Sequence, residues 1–216
     1  MSKPGTTLSL ILSFLSGYVD TAVFVHMKGL FVAHVTGNFV LLGATIAGAS
    51  AEHGGSATLQ LIAFPIFFLS AALAAVIAGR VGKDRQTPVL LWLATALIGG
   101  VGALAFAPGS SEAVLAMLLV TAMGMLNAAH RMDGTLGPPF TVMTGNVTAV
   151  AIETARVLHL ARREREGPVG APARAMLVLV AGFGVGCALG AVAQASLGLG
   201  SMVLPAILLA GRLALR

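Results

Sequence analysis

Charge is scarce in this chain. Only 10% of its 216 residues are Asp, Glu, Lys or Arg, against 57% hydrophobic, and the mean hydropathy is +0.94. A soluble domain carries about a quarter charged residues. So few charges cannot cover a water-facing surface, which argues against a soluble all-α protein and makes the bilayer the expected solvent. Cysteine is nearly absent. Cys187, alone, excludes an intrachain disulfide and a Cys-rich metal site, and its Gly and Ala neighbours mark it as a small packing residue. Aromatics reach only 6%, and no basic stripe runs along a face, so the net charge of +5 is not a nucleic-acid signature. No His, Asp and Glu cluster has metal-ligand spacing. No nucleophile is paired with a base, and no Gly-x-Ser-x-Gly, phosphate loop or dinucleotide fingerprint is present. Neither catalysis nor a cofactor is expected.

Long apolar runs fill the space that charges leave. They cover roughly 6–27, 30–49, 58–79, 88–107, 113–130, 140–158, 174–196 and 199–214. Several reach the length needed to span hydrocarbon, about 20 residues. The N-terminus resembles a signal peptide, with Lys3 before an apolar run. Tyr18 and Asp20 follow in place of a small-x-small cleavage site, so the run is expected to be an uncleaved first span.

The halves repeat. Gly17-Tyr18-Val19-Asp20 answers to Gly124-Met125-Leu126-Asn127 at an offset of 107, and Thr36-Gly37-Asn38 to Thr144-Gly145-Asn146 at an offset of 108. A later span in each half carries small residues four apart: Ser70, Ala74 and Ala78, then Gly182, Gly186 and Gly190. That spacing lets helix backbones approach closely in lipid.

Loop charges set the orientation. Lys3, the loop with Arg80, Lys83 and Arg85, the loop with Arg162, Arg163, Arg165 and Arg174, and the terminal Arg212 and Arg216 are expected on the cytoplasmic side. The loops at 50–57 and 107–112 hold no Lys or Arg and are expected outside. Two apolar runs lie between Lys3 and Ser50, and two between Ser110 and Arg162, where an odd number of crossings is required. In both places the surplus run contains Thr-Gly-Asn. Each half then crosses about three times, and the second half enters from the opposite side. The expected fold is an all-α integral membrane protein: about six transmembrane helices plus two broken or re-entrant Thr-Gly-Asn elements, in two inverted repeats. These run over 6–107 and 113–214 within one membrane domain, a plan common among secondary transporters. Eight full spans would put the most basic loop outside.

Around each Thr-Gly-Asn the sequence reads as a short extended run, a turn and a helix. Pro138-Pro139 stops any helix before the second copy. Thr36 and Asn38 are expected to cap a helix through Ala49, and Thr144 and Asn146 one through Leu158. Gly37 and Gly145 would permit a backbone conformation that other residues resist. Non-helical backbone at membrane depth requires a protein interior or a wet cavity. The two helix starts are therefore expected near the middle of the protein, their partial positive charge favouring an anion or a carbonyl oxygen.

The stretches "SGYVDTAVFVHMKGLFVAHVTGNFVLLG", "AMGMLNAAHR" and "VMTGNVTAV" resemble the YoaK-type family of bacterial six-helix inner-membrane proteins of unknown function. The resemblance spans nearly the whole chain. It implies a bacterial membrane protein and brings no established substrate or catalytic residue. The strand-then-half-helix pattern also resembles the nucleobase and sulfate permeases, which are far longer.

Among the polar residues in the spans, Asp20 is the foremost candidate, because an intramembrane carboxylate faces a partner or a wet cavity. Its mate Asn127 keeps the size and drops the charge, as suits a proton or cation site on one half. The structural alternative is a hydrogen bond to the opposing helix start. His34, matched to Val142, is expected to line the cavity. Glu153 and Arg156 read as an i, i+3 pair. The binding residues expected are thus Asp20, His34, Thr36, Gly37, Asn38, Asn127, Thr144, Gly145 and Asn146. They suit a small solute or ion in a permease. The alternative is a membrane scaffold or assembly partner without transport. Homo-oligomerisation is compatible with either.

Overall fold

The computed structural model describes residues 4–48, 55–158 and 173–215. Among these every regular element is helical. The helices are α1 (Pro4–His26), α2 (Gly37–Ile46), α3 (Ala57–Val81), α4 (Lys83–Leu104), α5 (Glu112–Met132), α6 (Met143–Val157), α7 (Ala173–Leu197) and α8 (Val203–Ala214). Short 3₁₀ turns at Gly134–Leu136 and Gly198–Met202 precede α6 and α8. Lys3, Ser50, Arg162, Arg163, Arg165 and Arg216 lie outside the described residues.

Among the described residues, five apolar stretches are long enough to cross a membrane: Thr7–His26, α3, α4, α5 and the 42 residues Ala173–Ala214. α1 and α5 are the most buried of them, and α3 and the last stretch the least. Phe68, Leu69, Leu73, Val185, Val192 and Ile207 are exposed on the outer helices. Outward-facing apolar side chains at this density are what lipid solvates and water does not.

Glycine contacts fix the helix directions. A Cβ on Gly182 would meet Leu10, one on Gly186 would lie 2.1 Å from Phe14 O, and one on Gly190 would lie 2.3 Å from Tyr18 O. Both series ascend, so α1 and α7 run parallel with their backbones in contact. α3 and α5 run parallel as well: Leu59, Ile62 and Ile66 share a groove with Ala113, Met117 and Thr121, and further along both helices Gly124 meets Phe67 and Ala71. Gly124 sits against Phe67 O and Ala71 N of α3, and Gly17 against Phe183 O and Cys187 N of α7. α8 packs antiparallel on α4, with Gly102 against Val203 and Gly99 against Ala206. The stretch Ala173–Ala214 therefore reverses direction at the turn that Gly198 opens with φ +56°.

The segments around Thr-Gly-Asn return to the end they left. Gln60 Nε2, at the start of α3, donates to Gly29 O just beyond α1 at 2.7 Å. A Cβ on Gly55 would lie 3.0 Å from both Gly29 O and Lys28 O. In the second half Ser9 Oγ donates to Leu136 O, placing the exit of α5 beside the start of α1 and hence of α7. α2 and α6 are about 15 and about 22 Å long at 1.5 Å per residue, short of the roughly 30 Å hydrocarbon thickness. Arg80, Lys83, Arg85, Arg131 and Arg174 gather where α3 and α5 end and α4 and α7 begin. Thr87 Oγ1, donating to Asp133 Oδ2 at 2.7 Å, ties α4 to the α5 exit there. Lys28 and Glu112 mark the opposite end.

Candidate functional site

Asp20 lies near the far end of α1, only 3% exposed. Its Oδ1 accepts from Val32 N at 2.7 Å and Ala33 N at 2.8 Å, and its Oδ2 is 2.6 Å from His34 Nδ1. The carboxylate thus gathers the non-helical backbone of its own half, rather than the opposing helix start. That backbone needs outside acceptors, because its N–H groups have no helical partner. His34 reaches across the molecule: its Nε2 is 2.9 Å from Thr141 O. The ring of Phe183 on α7 meets the imidazole edge-on at 5.4 Å.

The second half holds a neutral counterpart. Thr141 Oγ1 donates to Asn127 Oδ1 at 2.7 Å. The separation, fourteen residues, is the one between Asp20 and His34. Thr141, rather than Val142, therefore makes the contact that answers to that of His34. The offset of 107 between Asp20 and Asn127 recurs at this contact.

The roles expected within Thr-Gly-Asn are redistributed. Asn38 does not cap α2. Its amide faces backward, accepting from Phe31 N and donating to Phe31 O, both at 2.9 Å. Asn146 likewise donates to Pro139 O at 2.7 Å. Proline has no N–H, so this copy lacks the second bond. Thr36 occupies the N-cap position of α2 without a side-chain cap bond, and Val142 takes that position in α6, leaving Thr144 inside the helix. The N–H groups of Gly37, Asn38 and Phe39 bond to the carbonyls of His34, Val35 and Thr36. The start of α2 therefore has few donors left for an anion.

Gly37 and Gly145 do not occupy the left-handed region. Their lack of a side chain serves packing: a Cβ on Gly37 would lie 2.8 Å from the Phe31 ring, and one on Gly145 would lie 3.3 Å from Val142. The left-handed turns fall earlier, at Gly29 (φ 120°) and Gly137 (φ 82°), which are 108 residues apart. Their shared offset was the sequence signal that could have found them.

Four of the expected binding residues meet in one cavity. Asp20, His34, Thr36 and Thr144 line a space of about 650 Å³, with Phe31, Thr141 and Phe183 among its walls. Asn127 belongs to a second space of about 660 Å³ that extends past His130 and Arg131 toward the basic end. Thr141 and Val142 wall both spaces. Gly37, Asn38, Gly145 and Asn146 line neither space, and the two asparagines are buried. Among the described residues no group of three His, Cys, Asp or Glu is placed to hold a metal ion.

Residues 8–215 match the family described as "Protein of unknown function (DUF1275)". The chain belongs to this family. The match agrees with the resemblance to the YoaK-type proteins carried by Gly-Tyr-x-Asp and Thr-Gly-Asn. No curated protein and no solved structure matches the chain.

Proposed function

We propose that this protein is a small-solute permease of the bacterial inner membrane, with its central site between the two re-entrant loops. In this reading the chain crosses six times, through α1, α3, α4, α5, α7 and the returning leg that ends in α8. Both termini and the basic end face the cytoplasm, where short basic loops are retained. Residues 6–107 and 113–214 form two inverted repeats. Several observations support the plan. α1 pairs with α7 as α5 pairs with α3, Gly17 and Gly124 press on the partner backbones alike, and the two loops enter from opposite ends of the bundle.

The observation that carries the reading is the cavity. It is about 650 Å³, both loops wall it, and a buried carboxylate stands at its edge. Spaces of about 300–1,000 Å³ suit small molecules, and an intramembrane acidic residue marks a pathway more often than a packing site. The solute would contact Asp20, His34, Thr36 and Thr144, while Asn38 and Asn146 hold the loops in shape.

Metabolite uptake and export in cells with and without the gene would identify a solute, and flux through the purified protein in liposomes would then test it. Flux that disappears in Asp20→Asn is the expected result. A protein that changes no solute's distribution and passes none in liposomes would leave the scaffold reading in its place.

A further inference from the structure

His34 offers both ring nitrogens to acceptors. Thr141 O can only accept, so the Nε2 that faces it at 2.9 Å carries a proton. Asp20 Oδ2 lies 2.6 Å from Nδ1, and that contact needs one proton as well. The pair is either imidazolium with carboxylate or imidazole with carboxylic acid, and its net charge is zero both ways. If the shared proton leaves to the cavity, one N–H remains on the ring and the aspartate keeps its charge. A charged acceptor outcompetes a neutral carbonyl for that N–H. Nδ1 then donates to Asp20, and the Nε2 lone pair is left facing the lone pairs of Thr141 O.

We propose that Asp20 and His34 hold a single exchangeable proton whose loss breaks the bond from His34 to Thr141 and lets the two re-entrant loops part. For its purpose this latch rests on the permease reading above, and it names the proton as the coupling ion. A metal cation is a poor substitute, because N–H groups of Val32 and Ala33 already point at Oδ1 and the imidazole at Oδ2. The polar groups lining the cavity around His34 are Asp20 and Thr21 from α1, Thr36 before α2, Cys187 from α7, and Thr141 and Thr144 from the second loop and α6. Asp20 and Cys187 are the titratable ones, and no Lys or Arg lines this space among the described residues. The mate pair, Asn127 and Thr141, has no proton to give at physiological pH, so the latch works on one half only.

Nitroxide labels at Phe39→Cys on α2 and Val147→Cys on α6, in a Cys187→Ala background in lipid nanodiscs, would report the separation of the two elements by electron–electron distance measurement. No solute is added. Across about pH 5 to 9, a span that extends above the range of an unperturbed histidine, the ratio of long to short distances should rise up to about tenfold per pH unit for one proton. Asp20→Asn should stay short at every pH, since its amide can donate to Nδ1 and keep the proton on Nε2. His34→Gln should give a pH-independent distribution. Nitrogen NMR of labelled histidine, assigned with His34→Gln, should show Nε2 protonated at low pH and the proton on Nδ1 at high pH.

A wild-type distance that ignores pH would overturn the latch, as would a pH response that survives His34→Gln or a response to sodium at fixed pH. Solute flux with a pH-independent distance would sink the latch and leave the permease. An intact pH response in a protein that moves no solute would sink the permease and leave the latch.

Discussion

Three groups hold the Asp20 carboxylate, and two of them are backbone N–H groups with nowhere else to go. Removing the side chain and replacing it with an amide therefore test different things. Asp20→Ala orphans Val32 N and Ala33 N, at about 1–3 kcal/mol for each buried unsatisfied group. Its melting temperature in detergent should fall well below the wild type. Asp20→Asn keeps an acceptor for both, and the mate position already carries Asn127, so it should melt near the wild type while solute flux disappears. Equal melting of the Ala and Asn variants would remove the structural role of the carboxylate. The same accounting separates the two asparagines. Asn38 makes two bonds to Phe31 and Asn146 one to Pro139, so Asn38→Ala should destabilise more. At Gly37, Ala would press on the Phe31 ring, whereas Gly43 has nothing within 4 Å, so the loss of stability should follow that order. The sequence made Asp20 and Thr-Gly-Asn conspicuous because polar groups are costly in apolar runs. It did not show which way Asn38 points, since a cap and a backward clamp require the same residue.

At the scale of elements, α1 and α7 are joined by backbone contact, which only glycine allows at Gly186 and Gly190. A methyl on Gly186 would sit 2.1 Å from Phe14 O, and a carbonyl in a helix cannot move aside as a side chain can. Gly186→Ala should cost about 1–3 kcal/mol or more through overpacking. Gly184→Ala, with nothing within 4 Å, should be silent. Fluorescence-detected size exclusion of the two variants after a heat step measures the difference, and equal survival would show that α1 and α7 do not rely on this approach. The four-residue spacing of Gly182, Gly186 and Gly190 announced a close helix partner, but nothing in the chain named α1 as that partner. The parity of basic loops singled out the same two stretches that hold the short helices α2 and α6. The helix through Ala49 was overestimated: α2 stops at Ile46, and Gly48 turns with φ 79°. The turn of the chain at Gly198 was legible only as the gap between two apolar runs, because a reversal of direction has no composition of its own.

For the whole molecule the decisive asymmetry is electrostatic. Arg80, Lys83, Arg85, Arg131 and Arg174 lie at the end where α3 and α5 finish, while the end that holds Ser56 and the α5 start carries Lys28 and Glu112. Basic residues in short loops are retained on the cytoplasmic side, so the proposed orientation puts this end inside and would have each loop enter from a different compartment. Single cysteines in a Cys187→Ala background would test this with a membrane-impermeant maleimide on intact cells. Ser56→Cys and Ser110→Cys should be labelled from outside. Lys83→Cys, and Arg163→Cys beyond the described residues, should be labelled only after the membrane is opened. The Ser56 result bears on more than orientation. Gln60 binds Gly29 O on the same side as Ser56, so the first loop enters from wherever Ser56 is labelled. The second loop enters beside Ser9 and Leu136 at the Lys83 end. Labelling at Lys83 with Ser56 and Ser110 protected would invert the protein as a rigid unit and put Asp20 nearer the cytoplasm. Labelling of Ser56 and Lys83 from the same side would break the pairing of parallel helices on which the central cavity depends.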